Sequence, residues 1–567
     1  MTLPLPRTQQ LRLRENQLFL ALTILIGVLA GLAAVLFTVA IDQAGHLLFG
    51  LTPSRARLWL IPPAISLITG VLLAKVFPEV RGSGVPQTKA AYHLSMGAIP
   101  ARVPIGKFIT GILCIGSGHS MGREGPSVQI GAGLASVIGR WVGLPAARVR
   151  DLIPVGAAGA LAAAFNTPVA AVLFALEEII GDMNASLLGS TVVASVASVV
   201  VERSILGNEP LFHVPTYELV HPAELGAYAV LGVAGGLLSV AFCKALLTGR
   251  ALFRRLPPAT AIWQPAIGGI VIGAIISRVP SVMGVGYEHI DQALNGGLVL
   301  QTMAVLCVVK LAATIVSYSS GNAGGIFAPS LYIGAMAGGA VGAIVHSTAP
   351  FPTADAGAYA LVGMGALFAR IIRAPMTSVF MIFEITQDYQ ILVPLMVANM
   401  LSFTISSRLQ PAPVYHALLH QDGVHLRPGS SPPMTRTADQ MMTKAPELLH
   451  PDVTADAAWR VMLAQNAPAA LVGTEDRWLG IIDREDLASH IAAAETSVPI
   501  GSLLAEKELI HVHPDHPLDV VIERFARTSG LLPVVSRANA QHLVGVIALA
   551  DILPRPRPGA EPSSRRD

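Results

Sequence analysis

Charged residues are scarce in this chain of 567 residues. They make up 13% of it, against 52% hydrophobic residues, and the mean hydropathy is +0.59. This composition excludes an ordinary soluble globular protein and is typical of a polytopic membrane protein embedded in a lipid bilayer. The net charge at pH 7 is only +2, so a nucleic-acid partner is not expected.

Cysteine is also scarce, and its three positions carry no metal or redox pattern. Cys114, Cys243 and Cys307 each stand alone in an apolar run, without a second cysteine or a histidine at ligand spacing. Such residues are expected to be buried small hydrophobic side chains and not zinc ligands or disulfide partners. We therefore expect no metal ion and no cofactor.

A cleavable signal peptide is lacking at the start of the chain. Residues 1–15 are polar and contain proline, and the apolar run after them is too long for a signal sequence. Arg7, Arg12 and Arg14 precede this run, which places the N-terminus in the cytoplasm by the positive-inside tendency. We expect both termini on the cytoplasmic side of a bacterial-type inner or plasma membrane.

Apolar segments fill residues 16–420, and many of them are broken. The first, Leu18–Ala40, has the length of a full membrane helix, but several later ones contain Gly or Pro or are too short to span upright. Interrupted helices at membrane depth occur where the backbone lines a cavity or is buried in protein. The segments therefore predict an all-α, multi-pass transporter or channel domain.

The motif Gly122-Arg-Glu-Gly-Pro126 places two charges inside this apolar sequence. Charged side chains in such a region are costly and are usually functional. Pro126 suits the first turn of a helix, and a helix N-terminus attracts anions through its free N–H groups. The motif predicts an anion site with a titratable carboxylate beside it. The alternative is a structural turn with an Arg–Glu pair.

An internal repeat divides the membrane domain into two halves, residues about 16–210 and 222–420. Gly122–Ala132 resembles Gly325–Ala335, 203 positions later. A second pair of proline-containing segments is offset by 207 positions, so the halves keep their register with a small insertion. Paired broken segments in corresponding halves are the best sequence indication of a binding site near the middle of the membrane.

The last quarter of the chain has a different composition. Residues 421–438 are predicted to form a linker, residues 439–553 a soluble α/β region, and residues 554–567 a disordered tail. A His-Pro-Asp sequence and a Gly-Ile/Val-Ile stretch each occur twice in the soluble region. This repeat predicts two similar units, about 439–495 and 498–553.

Three motifs resemble the signature motifs of the CLC family of chloride channels and chloride/proton exchangers. They are Gly82-Ser-Gly-Val-Pro86, Gly122–Pro126 and Gly325-Ile-Phe-Ala-Pro329, in the order of that family. Tyr415 matches the tyrosine that follows the family's last membrane helix. The resemblance implies two halves of inverted topology in each subunit, and a homodimer with one pore in each subunit.

The resemblance also implies a role for individual residues. Ser83 and Tyr415 would donate their hydroxyls to a central chloride, because a dehydrated halide needs donors but a full cation would bind it too tightly to release. Alone, Ser83 could be a helix N-cap and Tyr415 an interfacial anchor. Backbone N–H groups would complete the central site and line an outer one. They belong to Ile326, Phe327, Arg123 and Gly125.

Two glutamates resemble the acids that handle protons in exchanging members of the family. Glu124 would be the gate, blocking the anion site as a carboxylate and leaving it when protonated. Glu178 would be the internal proton acceptor, which favours chloride/proton antiport over a passive, voltage- or pH-gated chloride channel. The alternative for Glu177 and Glu178 is a helix end facing the cytoplasm. Glu177 and Glu384 are candidates for structural roles.

The soluble region resembles a tandem pair of CBS domains. By that resemblance Asp486 and Asp551 would hold the ribose of a nucleotide. Asp483 and Ala548, however, stand where a hydroxyl residue is usual. A carboxylate repels phosphates and an alanine side chain donates nothing, which argues against nucleotide binding and for a regulatory or dimer-stabilising role.

Other classes of membrane protein with CBS domains fit the sequence less well. An intramembrane metalloprotease needs a His-Glu-x-x-His zinc site, and the sequence has none. A divalent-cation transporter would need a cluster of carboxylates in the membrane part. We therefore expect a transport protein for chloride and protons and not an enzyme.

Overall fold

The structure is a computed structural model, and its chain divides into two compact units, Met1–Pro428 and Gly429–Asp567. It describes residues 7–426 and 437–552, with short gaps at 183–184, 209, 213, 215–216, 218–219, 445, 466, 475–476, 494–495, 505–509, 517, 526–527, 529, 538 and 540. Most of the predicted linker and all of the predicted tail lie outside the described residues.

The first unit is built of α-helices. They are α1 (Arg7–Phe49), α2 (Arg55–Val71), α3 (Val85–Leu94), α4 (Arg102–Gly116), α5 (Glu124–Trp141), α6 (Ala146–Phe165), α7 (Pro168–Phe174), α8 (Ala185–Leu206), α9 (Glu224–Arg254), α10 (Gln264–Ile276), α11 (Tyr287–Leu294), α12 (Leu300–Ser319), α13 (Phe327–Thr348), α14 (Ala356–Ile372), α15 (Pro375–Thr386), α16 (Leu392–Leu409) and α17 (Val414–Gln421). Two π-helical turns, Leu72–Val76 and Ala175–Ile180, extend α2 and α7.

Within the described residues, seven helical segments are long and apolar enough to cross a membrane. They are Gln17–Phe49, Arg55–Val76, Leu187–Leu206, Glu224–Arg254, Leu300–Ser319, Phe327–Thr348 and Leu392–Gln421. Other apolar helices are shorter, for example the 12 residues of α15. The prediction of a multi-pass, all-α membrane domain with broken helices is confirmed.

Two of the helix breaks occur at corresponding positions of the two halves. Asn166 ends α6 and Arg373 ends α14, both in the left-handed backbone region, with φ of 58° and 63°. Pro168 and Pro375 then open α7 and α15, where the missing N–H of proline costs no helical hydrogen bond. The same local chemistry therefore breaks both apolar runs, 207 positions apart.

Buried glycines let the central helices cross at very short distance. A Cβ added to Gly131 of α5 would lie 2.2 Å from the carbonyl oxygen of Gly156 in α6. A Cβ added to Gly334 of α13 would lie 2.5 Å from the carbonyl oxygen of Gly363 in α14. The two crossings obey the 203- and 207-residue offsets of the repeat, so both halves use the same packing.

The three cysteines lie where the sequence predicts. Cys114, Cys243 and Cys307 are free and buried, each at the interior face of a helix of the first unit. The prediction that they are small hydrophobic side chains is confirmed.

The second unit contains a repeated helix–strand–strand–helix arrangement. The first copy has α19 (Ala455–Ala464), β2 (Ala469–Thr474), β3 (Arg477–Asp483) and α20 (Arg484–Ala492); the second has α21 (Leu518–Phe525), β4 (Leu531–Val535), β5 (Leu543–Ala548) and α22 (Leu549–Ile552). Each pair of strands is antiparallel. A short strand, β1 (Thr443–Lys444), which follows α18 (Ala438–Met441), adds to β5.

Alanine at either crossing glycine should destabilise the membrane unit. We expect Gly131→Ala and Gly334→Ala each to lower the free energy of unfolding by about 1–3 kcal/mol, because the added methyl must displace a backbone carbonyl. Thermal unfolding of the purified protein in detergent, followed by size-exclusion chromatography, measures this.

Gly189→Ala is the matched control for the two crossing glycines. Gly189 lies in α8, and a Cβ added there meets nothing within 4 Å. Because alanine is the better helix former, this variant should be at least as stable as the wild type. Equal stability of all three variants would show that the close crossings are not required.

Candidate ion-binding site

The three glycine motifs are joined by backbone hydrogen bonds at the centre of the first unit. Gly122 and Gly325 each donate an N–H to the other's carbonyl oxygen, both at 2.8 Å. Gly82 donates to Asn322 and accepts from Gly324, both at 3.1 Å. Segments more than 200 residues apart in the sequence therefore meet at one place.

Helices begin immediately after these turns. α3 starts after Gly84, α5 after Arg123 and α13 after Ile326. The first N–H groups of a helix have no partner within it and carry partial positive charge. Three helix N-termini at one centre make an environment that favours an anion without a cation in direct contact.

Two buried lysines fix the loops that lead into the site. Lys107 Nζ donates to the carbonyl oxygens of Val80 and Gly82, at 2.8 and 2.6 Å. Lys310, 203 positions later, donates to three carbonyl oxygens of the loop before α11. These belong to Val282, Gly284 and Val285, at 3.1, 2.8 and 3.1 Å.

The lysine contacts reveal a fourth glycine turn that the sequence analysis missed. Gly284 and Gly286 follow Gly82 and Gly84 by 202 positions, and all four have positive φ. Tyr287 therefore occupies, at the start of α11, the place that Val85 holds at the start of α3. The Gly-x-Gly spacing with a lysine 25 or 26 positions later was a detectable signal.

Two predicted donors are buried hydroxyls. Ser83 and Tyr415 are both fully buried, and neither hydroxyl oxygen has a hydrogen-bond partner among the described residues. Leaving a buried hydroxyl unpaired costs free energy, so both hydroxyls fit a bound acceptor. α17, which carries Tyr415, packs against α3, which begins two residues after Ser83.

The predicted backbone donors lie at the same centre. Ile326 and Phe327 are buried at the start of α13, and the Phe327 ring packs against the ring of Phe368 with centroids 4.3 Å apart. Gly125 is close to the serine, since a Cβ added to it would lie 2.5 Å from Ser83 Oγ. Glycine is therefore required at position 125.

Glu124 is fully buried at the start of α5. Its Oε1 accepts a hydrogen bond of 2.5 Å from the Tyr287 hydroxyl, and its Oε2 lies 3.4 Å from the backbone N–H of Ala328, in the first turn of α13. The carboxylate thus lies against a backbone N–H at a helix start, which is a donor of the kind that would bind an anion. A Cβ on Gly122 would lie 2.2 Å from Glu124 Oε2, so the motif's first glycine makes room for the acid.

Glu178 is buried and paired. It lies in the π-helical turn Ala175–Ile180, and its Oε1 is 2.9 Å from Lys89 Nζ of α3. Less than 10% of either side chain is exposed. The alternative that Glu178 faces cytoplasmic solvent at a helix end is therefore wrong. Lys89 is a site residue that the sequence analysis missed.

Glu177 and Glu384 cap helices of the opposite half. Glu177 accepts the backbone N–H groups of Met376 and Thr377, at 3.1 and 2.8 Å, at the start of α15. Glu384 accepts those of Val169 and Ala170, at 2.9 and 2.8 Å, at the start of α7. Carboxylates at helix N-termini are stabilising, which gives both residues the structural role expected of them.

In the second unit, the candidate ribose-binding residue Asp551 has a local hydrogen-bond partner. Asp551 accepts the backbone N–H of Ala548 at 3.0 Å and so caps the start of α22. Asp486 lies in the first turn of α20, and Asp483 stands at the N-cap of that helix. The carboxylate of Asp551 therefore already has a function in holding its own helix.

Family profiles match most of the chain. The profile of the voltage gated chloride channel family matches residues 65–407, and that of the CBS domain matches residues 500–556. The second predicted CBS unit is thereby identified as a CBS domain.

Curated relatives are similar over most of this chain. The putative chloride channel protein ClcB-like of Ralstonia nicotianae is 32% identical over 431 residues, which are 73% of this chain and 100% of the relative. The H(+)/Cl(-) exchange transporter ClcA of Vibrio campbellii is 32% identical over 417 residues, 70% of this chain and 88% of the relative. Both are named as transport proteins and not as enzymes.

Solved structures share the fold. A slow cyanobacterial Cl-/H+ antiporter superposes with a TM-score of 0.65 at 27% identity, over 71% of this chain and 97% of that one. A eukaryotic CLC transporter covers 94% of this chain and 97% of its own, with a TM-score of 0.60 at 21% identity, which shows the fold alone. The profile of this family spans more than half of the chain, and a relative is 32% identical over its complete length. The chain therefore belongs to the voltage gated chloride channel (CLC) family.

Proposed function

We propose that this protein exchanges chloride for protons across a membrane. The observation that carries the proposal is the placement of two buried acids around one centre. Glu124 opens α5 beside the first turn of α13, and Glu178 pairs with Lys89 on the helix that follows Ser83. Similarity to relatives named H(+)/Cl(-) exchange transporters supports the same activity.

Chloride would bind at the unpartnered hydroxyls of Ser83 and Tyr415 and at the N–H groups that begin α13. Lys107 and Lys310 would add positive potential without touching the ion, since their ammonium groups are engaged by carbonyl oxygens. An ion held by neutral donors binds selectively and is still released.

Glu124 would be the gate and Glu178 the internal proton acceptor. As a carboxylate, Glu124 competes with chloride for the donors at α13; once protonated it loses its charge and leaves the site. Glu178 would deliver the proton from the cytoplasmic side. Its ion pair with Lys89 stabilises a charge that is otherwise costly to bury.

The assembly and orientation are part of this proposal. We infer a homodimer with one pore in each subunit, two halves of inverted topology, and both termini in the cytoplasm. The paired helix breaks, glycine crossings and lysine contacts support two related halves. The tandem CBS pair, of which residues 500–556 match the family profile, would regulate transport or stabilise the dimer.

A passive chloride channel is the second candidate. One relative is named a putative chloride channel protein, and a channel of this fold could keep both acids. The two candidates differ in the reversal potential, which a channel sets at the chloride equilibrium potential whatever the pH gradient.

An imposed chloride gradient should drive protons uphill into or out of liposomes that contain the purified protein. A pH-sensitive dye inside the liposomes measures proton movement, and a chloride electrode measures chloride movement. Glu124→Ala should keep the chloride flux but abolish proton movement, because the removable carboxylate is gone. A wild-type protein that moves chloride with no uphill proton transport would contradict antiport.

Glu178→Gln should retain chloride turnover and lower proton transport by at least about tenfold, because the amide cannot accept the proton. Asp182→Asn is the matched control, since Asp182 lies four positions later but is exposed. The same dual measurement of proton and chloride flux applies. Equal proton transport in both variants would remove Glu178 from the route.

ATP and AMP should bind the full-length protein no more tightly than about 1 mM, measured by isothermal titration calorimetry in detergent. The physical reason is the missing hydroxyl at positions 483 and 548 and the cap made by Asp551. The double variant Asp483→Thr/Ala548→Thr restores the hydroxyls and should bind more tightly than the wild type. Micromolar binding to the wild-type protein would overturn this expectation.

A further inference from the structure

The Tyr287 hydroxyl makes a short contact with Glu124, the gate candidate. It donates to Glu124 Oε1 at 2.5 Å, and Glu124 itself is fully buried. A hydrogen bond to an ionised carboxylate is shorter and stronger than one between neutral groups. The phenol therefore favours the charged carboxylate in its present position.

The ring that carries this hydroxyl is held on several sides. The Arg123 guanidinium lies 5.3 Å from the ring centroid, and the Phe212 ring meets it edge-on at 5.4 Å and 90°. Gly286, in the left-handed region at φ 84°, sets the start of α11. Lys310 holds the carbonyl oxygens of the same loop. These contacts fix the Tyr287 hydroxyl independently of its hydrogen bond to Glu124.

The repeat shows that this donor is an addition of the second half. Val85, which corresponds to Tyr287 in the first half, has no hydrogen-bonding side chain. Both loops are held by an equivalent lysine, so the loop geometry does not require tyrosine. The Tyr287 hydroxyl has a partner in Glu124 of the first half. Phe327, which corresponds to Glu124 in the second half, has no acceptor in its side chain.

We propose that Tyr287 is a positioning residue, a latch whose hydroxyl holds the Glu124 carboxylate in the closed position and so sets how readily the gate opens. This rests on the proposed function, in which Glu124 is the gate. Without the phenol, the carboxylate loses its strongest donor while the weaker contact to Ala328 N–H remains. The gate then spends more time away from the anion site, and chloride passes without a proton more often.

Other charged groups surround the pair and stay unchanged in the test. Arg123 shares α5 with Glu124, and Lys310 comes from α12. Groups within electrostatic reach of these two cations lie on three further elements. They are Asp42 of α1, Glu202 of α8 and His289 of α11.

The test compares Tyr287→Phe with the wild type in liposomes, with chloride turnover and proton-to-chloride stoichiometry measured at about pH 7.5 and about pH 4.5, above and near the range where a carboxyl titrates. We expect a rise of about tenfold in chloride turnover at the higher pH, the change that corresponds to loss of a charge-assisted hydrogen bond. At the lower pH, where the gate is protonated more often, turnover should be close to that of the wild type. Fewer protons should move per chloride.

Tyr332→Phe is the matched control. The Tyr332 hydroxyl donates to the carbonyl oxygen of Ser281 at 3.2 Å, and its ring lies under Lys310, so it shares the surroundings but not the gate. The Tyr332→Phe variant should leave the pH dependence of chloride turnover unchanged. A second control is the Glu124→Ala background, in which adding Tyr287→Phe should change nothing.

The outcomes separate this proposal from the proposed function. If the wild type couples protons to chloride and Tyr287→Phe keeps its turnover and stoichiometry at both pH values, the latch is wrong and antiport stands. If Tyr287→Phe lowers proton transport without raising chloride turnover, Tyr287 passes protons and the latch is again wrong. If the wild type shows no coupling at all, antiport fails, whereas the chloride turnover still tests the latch.

Discussion

Backbone hydrogen bonds between glycine turns hold the centre of the membrane unit together. Broken helices expose N–H and C=O groups, and in an apolar interior each unpaired group is costly. Gly122 pairs with Gly325, and Gly82 with Asn322 and Gly324, so the turns satisfy one another's backbone groups, and helices α3, α5 and α13 begin beside them. The rest of the site depends on these hydrogen bonds, because they let the helix N-termini meet while the backbone groups of the turns remain paired.

Positive charge is supplied to this centre without being placed in it. Lys107 and Lys310 are fully buried, yet their ammonium groups are bound by loop carbonyls. Each lysine therefore stabilises a turn and contributes potential at a distance. Direct contact with a cation would hold an anion too tightly for turnover, so the arrangement matches a site that must release what it binds.

Features encoded in one continuous stretch could be predicted from the sequence. The three motifs, the acid of Glu124 and the broken membrane helices are of this kind, because glycine, proline and charge act locally on the backbone. The partners of the buried acids were not predictable in this way. Lys89 lies 89 positions from Glu178, and Tyr287 lies 163 positions from Glu124. Their side chains reach the acids only when the helices pack together. The repeat did indicate the position of Tyr287, through the second Gly-x-Gly turn and the lysine that follows it.

The differences between the two halves explain how one repeated arrangement of turns and helices can have two roles. In the first half the turn before α3 carries a hydroxyl on Ser83 and no donor on Val85; in the second, Val285 and Tyr287 reverse that order. Likewise Glu124 opens α5, and Phe327 opens α13 in the equivalent place. In the proposed mechanism, one turn thus presents its donor to the anion, and the other presents its donor to Glu124, the acid that would compete with the anion. A charged group buried in a membrane must be compensated, and Glu124 of the first half receives hydrogen bonds from the second half, from the Tyr287 hydroxyl and the Ala328 N–H.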